Sequence, residues 1–290
     1  MNSIKLKAHA KINLGLDVVR KREDGYHEVR MIMQTIGLYD KLTITRTNNT
    51  SIVMNTNLHY LPTDESNLVY KAVSLIRSEF QIEQGVYVNL EKKIPVAAGM
   101  AGGSSDAATA LYGMNRLFSL NLTKADLMKL GLKLGADVPY CIMRGTALSE
   151  GIGEVLTPLP PFPECNVLIV KPGISVSTKY VYENLKLDEN TKHPDIDSII
   201  HSIRKKDLYG AVNLFSNVLE IVTEKEYPVI RDIKTKMLEL GAVGSLMSGS
   251  GPTVFGLFDD IKKAEKAFYQ FKISDLGKQV FLTDLYHPRY

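Results

Sequence analysis

The sequence predicts an α+β protein of two domains, on three observations. Stretches with a strand period and stretches with a helix period alternate irregularly in both halves of the chain. The 290 residues are more than one compact core usually needs. Pro158, Pro160, Pro161 and Pro163 cluster near the middle, and proline fixes φ and removes a backbone donor, so neither helix nor central strand passes through. The junction is set there, giving domains over residues 1–157 and 158–290.

Taken in order, Ile4, Leu6, Ala8 and Ala10 alternate with polar neighbours and predict a half-buried strand. Leu42 and Ile44 repeat the pattern, as do Val86, Val88 and Leu90. Between them, Leu68, Val69, Ala72, Leu75 and Ile76 fall at helical spacing and predict a helix over 64–80 behind a Pro-Thr-Asp start. Ala107, Leu111, Met114 and Phe118 lie on one face of a second helix, opened by Ser104-Ser105-Asp106, residues that cap well. Thr123 and Asp126 predict a capping box for a helix that ends near Gly135. Beyond the prolines, Val167–Val170 predicts a strand and residues 186–196 a surface loop. A helix is expected over 228–240, stopped by Gly241. Gly249-Ser250-Gly251 turns into a strand over 253–258, followed by a helix near 261–271 and a strand near 279–283.

Composition narrows the function. A formal charge of +3 is too small for a nucleic-acid binder. No apolar run reaches the ~18 residues of a membrane span. The N-terminus alternates where a signal peptide would be solidly apolar, so the expectation is an unprocessed cytoplasmic chain with no nucleic-acid or membrane partner. Cys141 and Cys165 have no metal-type spacing and are read as packed thiols.

The chemistry concentrates in Pro95-Val96-Ala97-Ala98-Gly99-Met100-Ala101-Gly102-Gly103-Ser104-Ser105. A strand leads in and a helix leads out. Glycines permit positive φ and close approach of a ligand to the main chain. Successive N–H groups can then face one concavity, and the helix N-terminus adds unsatisfied donors and partial positive charge. The small alanines keep the walls low, and serine hydroxyls extend the donor set. On their own these residues fit either an anion site or a flexible loop leading into a well-capped helix. The segment is neither GxxxxGK[ST], since Ser104 stands where the lysine would, nor GxGxxG.

That segment, running on through Asp106-Ala107-Ala108-Thr109-Ala110-Leu111, resembles the central motif of the GHMP kinases, relatives of galactokinase, homoserine kinase, mevalonate kinase and phosphomevalonate kinase. Two more motifs of that family are matched, Ala8-His9-Ala10-Lys11-Ile12-Asn13-Leu14 and Met247-Ser248-Gly249-Ser250-Gly251-Pro252-Thr253-Val254-Phe255. The resemblance implies a ribosomal-S5-like N-terminal domain, a ferredoxin-like C-terminal domain with the active site between them, and ATP with Mg2+. Asp24-Gly25-Tyr26-His27-Glu28 and Leu134-Gly135-Ala136-Asp137-Val138-Pro139-Tyr140 resemble the branch acting on a cytidyl-diphosphate methylerythritol. That implies γ-phosphate transfer to the 2-hydroxyl of the methylerythritol, in the non-mevalonate route to isoprenoid precursors. The alternative is another acceptor of the same family, mevalonate-like or homoserine-like.

The resemblance carries Lys11 and Asp137 over as catalytic. On residue chemistry alone, a lysine in a strand faces solvent and an aspartate before Val-Pro sits in a turn. A carboxylate of ordinary pKa, about 3.9, is a weak base towards an alcohol, so alignment of the hydroxyl rather than basicity must supply the rate. The resemblance also makes Tyr26 and His27 readers of cytosine. A second aromatic ring would come from the segment holding Thr178, Tyr180 and Tyr182; Tyr182 is preferred and Tyr180 is its rival. Asn13, two residues from Lys11 on one strand face, is placed near the acceptor together with Thr178. Gly249-Ser250-Gly251 is expected to support the first loop. No dedicated metal ligand emerges, Ser105 and Asp137 being the candidates, and a monomer or weak homodimer is expected.

Overall fold

The computed structural model describes residues 1–288. The chain forms two compact units: residues 1–10, 38–96 and 101–143 in the first, and residues 11–37, 97–100 and 144–288 in the second.

The first unit starts on β1 (Ser3–Lys21) and takes the second half of β2 (His27–Arg46). β2 pairs antiparallel with β4 (Val86–Glu91), and β4 pairs parallel with β3 (Ile52–Thr56). A parallel pair needs a crossover, and α1 (Leu68–Glu79) supplies it. The helix starts later than expected. Asp64 turns the chain by accepting from Ser66, and Asn67 is the cap, its Oδ1 taking Val69 N–H at 2.9 Å.

α2 (Gly102–Phe118) also departs from expectation. It opens two residues before Ser104, from Ala101 at φ 53°, and no side chain caps it. Ser105 and Asp106 are buried and engaged elsewhere. Gly113, mid-helix, lets α2 lie close on the sheet, since a Cβ there would sit 2.8 Å from Ile44 Cδ1. α3 (Lys124–Leu132) has the expected capping box, with Asp126 N–H on Thr123 Oγ1 and Thr123 N–H on Asp126 Oδ2. It stops at Leu132, before Gly135. α4 (Asp137–Met143) closes the unit, with Pro139 in its first turn, where a missing N–H is harmless.

In the second unit the first half of β2 pairs with β5 (Thr146–Glu150), which pairs with β6 (Val155–Pro158). Pro158 ends β6, and no helix or strand covers residues 159–165, which hold Pro160, Pro161 and Pro163. A four-stranded antiparallel sheet follows, built from β7 (Asn166–Lys171), β8 (Gly244–Met247), β9 (Val254–Phe258) and β10 (Gln279–Asp284), in the order β10-β7-β9-β8. Between β7 and β8 lie α5 (Thr178–Asn184), α6 (Ile196–Arg204), α7 (Leu208–Val212), α8 (Glu220–Glu226) and α9 (Val229–Glu239). α10 (Ile261–Ile273) joins β9 to β10. With the helices of the first crossover taken together, this is the β-α-β-β-α-β order of a ferredoxin-like domain. α9 ends as expected at Gly241, φ +94°. Val167, Leu168, Ile169 and Val170 are all fully buried, because both faces of β7 are covered. Cys141 and Cys165 are buried and form no disulfide, and burial pushes the Cys165 thiol up to about 12.

Candidate active site

The glycine loop has the backbone that its composition demands. Ala97, Gly99 and Ala101 all have positive φ, at 50°, 72° and 53°. Alternating left-handed residues curl a chain so that its amides converge, the geometry of an anion nest. The first intrahelical bond of α2 runs from Ser105 N–H to Ala101 O at 2.8 Å, so the amides of Gly102, Gly103 and Ser104 have no intrahelical acceptor. Ala97 and Gly103 are exposed, whereas Pro95, Ala98, Met100 and Ser105 are buried and shape the loop from below. The Ser105 hydroxyl donates to His9 O at 2.6 Å, so its proton is not available to a phosphate.

Lys11 is buried, contrary to the habit of strand lysines. Its Nζ donates to Asn13 Oδ1 at 2.8 Å and to Gly99 O at 3.0 Å, and its backbone N–H donates to Met100 O at 3.2 Å. The expected Lys11–Asn13 face is thus realised as a hydrogen bond. Asn13 is wholly buried and its amide donates to Met31 Sδ.

The turn after β8 lies against the same loop. Ser248 Oγ donates to Gly99 O at 2.9 Å. A Cβ on Gly99 would stand 2.1 Å from Ser248 O. Gly249 and Gly251 have φ of 58° and 85°, and the Gly251–Pro252 bond is cis. The supporting role expected for this turn is a direct contact.

Tyr182, on α5, lies beside His27, with ring centroids 5.0 Å apart and planes tilted by 42°. Tyr180, two residues earlier on the same helix, faces away and is 41% exposed, as residues two apart on a helix do not share a face. Burial, and after it the charge of Lys21, lowers the His27 pKa. Tyr26 is 61% exposed in the β1–β2 turn. Thr178 opens α5, and its hydroxyl shares a 2.8 Å hydrogen bond with Ser250 Oγ. Asp137 is the first residue of α4 in the other unit. Among the described residues no group of three or more His, Cys, Asp or Glu side chains is placed to hold a metal ion.

Residues 67–145 match the GHMP kinases N terminal domain, and residues 182–274 match the GHMP kinases C terminal domain. The chain belongs to the GHMP kinases. Curated relatives span it end to end. The 4-diphosphocytidyl-2-C-methyl-D-erythritol kinase of Lachnoclostridium phytofermentans is 64% identical over 289 residues, covering 100% of this chain and 99% of that protein. That of Lachnospira eligens is 55% identical, covering 99% of this chain and 100% of that one. Among solved structures, a 4-(cytidine 5'-diphospho)-2C-methyl-D-erythritol kinase superposes with a TM-score of 0.84 at 32% identity, covering 98% of this chain and 100% of that one. The homoserine kinase of Cytophaga hutchinsonii has the same fold, with a TM-score of 0.80 at 20% identity, over 98% of this chain and 95% of that one.

Several residues that shape this GHMP kinase carry no local sequence signal. Asn217 donates through Nδ2 to Met247 O and Gly249 O, and Glu220 accepts Met247 N–H at 2.9 Å, so both brace the second turn. Burial raises the Glu220 carboxyl, with Lys234 at 2.7 Å opposing. Asp40, Lys92 and Asp106 form a buried ion cluster in the first unit. Each lies at least fourteen residues from a partner, and although Asp106 stands in the Ser104-Ser105-Asp106 run read above as caps, nothing local marks it as an ion-pair partner.

Proposed function

We propose that this chain transfers the γ-phosphate of ATP to the 2-hydroxyl of 4-diphosphocytidyl-2-C-methyl-D-erythritol. The observation that carries the reading is the nested loop with Lys11 bonded to its centre at Gly99 O, in a chain whose full-length relatives bear that name. In the proposal the loop 95–105 holds the ATP phosphates through backbone amides, chiefly those of Gly102, Gly103 and Ser104. Magnesium would come with the ATP and neutralise phosphate charge, with Ser105 and Asp137 the side chains proposed near it.

Lys11 and Asp137 are proposed as the catalytic pair. Asp137 aligns the acceptor hydroxyl and takes its proton late in a loose transition state. Lys11 neutralises charge on the moving phosphoryl group, and its bonds to Asn13 and Gly99 fix its ammonium in one place, so little reorganisation is needed as charge develops. Asn13, Tyr26, His27, Thr178 and Tyr182 are proposed to bind the acceptor. His27, with its pKa lowered, is neutral at pH 7 and can both donate to and accept from a cytosine edge. Its contact with Tyr182 favours Tyr182 over Tyr180 as the second aromatic. The phosphate loop and Asp137 belong to the proposed functional domain 1–157, and Thr178 and Tyr182 to domain 158–290.

The test is a panel of acceptors with ATP, read as ADP release from the purified chain. Turnover with the cytidyl substrate, and none with mevalonate or homoserine, is the expected result. Turnover with mevalonate or homoserine in its place would overturn the acceptor.

A further inference from the structure

At the foot of the glycine loop lies an ion cluster that the chemistry above does not use. Lys92, three residues before Pro95, donates from Nζ to Asp106 Oδ2 at 2.7 Å and to Asp40 Oδ2. Asp106 is the residue directly after the loop. The side chains of Lys92, Asp40 and Asp106 are 4%, 0% and 2% exposed. Asp40 Oδ1 also accepts the backbone N–H groups of Lys93 and Ile94, the latter at 2.7 Å. One ammonium therefore ties the chain leading into the loop to the chain leading out of it, and one carboxylate pins the incoming backbone. The cluster also touches the loop directly, since a Cβ on Gly102 would stand 3.2 Å from Lys92 Nζ.

As a source of stability this arrangement is poor. Two carboxylates share one cation away from water, and Asp106 Oδ1 is buried with no hydrogen-bond partner. Buried ion clusters of this kind are often no better for stability than apolar side chains of the same volume. What they do provide is a fixed geometry, and here it is fixed at both ends of a loop whose amides must converge on a phosphate.

Resting on the reading of the loop as the ATP site, we propose that Lys92, Asp40 and Asp106 are positioning residues that set the glycine loop for ATP. Severing the tie at Asp106 loosens the loop and weakens ATP binding, and leaves the acceptor's own contacts intact. Asparagine keeps an oxygen for Lys92 and the shape of the aspartate. It also matches the neutral form towards which burial, first, and the charge of Asp40 push Asp106, against the pull of Lys92.

The experiment compares wild type, Asp106→Ala and Asp106→Asn by steady-state kinetics and by direct titration with a fluorescent ATP analogue. Asp106→Ala should raise KM for ATP and Kd for the analogue by about tenfold or more. Its kcat and its KM for the acceptor should stay within about twofold of wild type. Asp106→Asn should restore ATP binding to within about threefold. A wild type that binds no ATP analogue would defeat the reading of the loop itself. If wild type binds and Asp106→Ala binds equally well, or if its kcat and acceptor KM suffer as much as its ATP affinity, the positioning role is overturned. Should Asp106→Ala not fold, by circular dichroism, Asp106→Ser is judged by the same criteria. Failure of both to fold, with Asp106→Asn folded, would assign the cluster to stability alone and overturn the proposal.

Discussion

Gly99 and Gly103 stand in one loop for different reasons. Gly99 has φ +72° and lies under Ser248 O, so a side chain is excluded by the protein itself. Gly103 sits in the first turn of α2, where the nearest atom to a Cβ would be Leu68 Cδ1 at 3.6 Å, an ordinary contact. Gly99→Ala should lose about 1–3 kcal/mol from backbone strain alone, before the clash is added. Gly103→Ala should unfold at the same temperature or higher, since alanine is preferred in a helix by up to ~1 kcal/mol, yet show a raised KM for ATP. Thermal unfolding and ATP kinetics of the two variants check both statements. A second expectation at this scale concerns Asp137. Asp137→Asn should fold normally and lose nearly all turnover, and retention of more than about a tenth of kcat, less than ~1.4 kcal/mol of barrier, would remove it from the mechanism. Lys11, Asn13, Tyr26, His27 and Asp137, the residues proposed for the site, stand in short motifs that mark them in the sequence. The residues that hold those motifs in shape are not so marked. Ser248, Asn217 and Asp40 act on backbone atoms far away in sequence, and no local pattern marks a side chain for such a partner.

At the scale of elements, α5 decides between two tyrosines that the sequence leaves open. A helix separates Tyr180 from Tyr182 by about 200°, so only one meets His27. Tyr182→Ala should therefore raise the KM for the cytidyl substrate and leave the KM for ATP unchanged, while Tyr180→Ala should alter neither. α3 offers a control. Thr123→Ala removes a reciprocal cap and should cost about 1 kcal/mol in denaturant unfolding, with kinetics at wild-type values. The capping box, the glycine stop of α9 and the strands at Val86–Glu91 and Val254–Phe258 follow from local rules and are readable one residue at a time. β1 is only partly so. Residues 8–18 are buried without alternation, polar ones included, so the period that marks its start is lost where Lys11 and Asn13 lie. The start of α2 is hidden for a related reason. Residues that look like caps, Ser105 and Asp106, have tertiary partners instead, and Ala101 takes a backbone conformation that its side chain does not advertise.

For the molecule as a whole, the buried cluster gives stability a pH dependence of known sign. Asp106 is raised well above the ordinary carboxylate range, by burial first, with Lys92 opposing and Asp40 adding to the rise. A carboxyl raised in the folded state holds its proton more tightly there than in the unfolded chain. Its contribution is complete below the unfolded value near ~3.9 and is lost as pH climbs through the folded value. Asp106→Asn should therefore gain stability relative to wild type as pH rises from about 4 towards neutral, and a difference independent of pH would contradict this. The α+β class follows from the mixed order of strand and helix periods and the family from three motifs in order, and the order β10-β7-β9-β8 supplies the ferredoxin-like topology that the resemblance implies. The central claim concerns where the phosphate goes. Incubation with γ-labelled ATP and 4-diphosphocytidyl-2-C-methyl-D-erythritol, followed by phosphorus NMR of the product, tests it most directly. A new phosphomonoester coupled to C2 of the methylerythritol is the result expected. Label found on another hydroxyl, or only in inorganic phosphate, would contradict it.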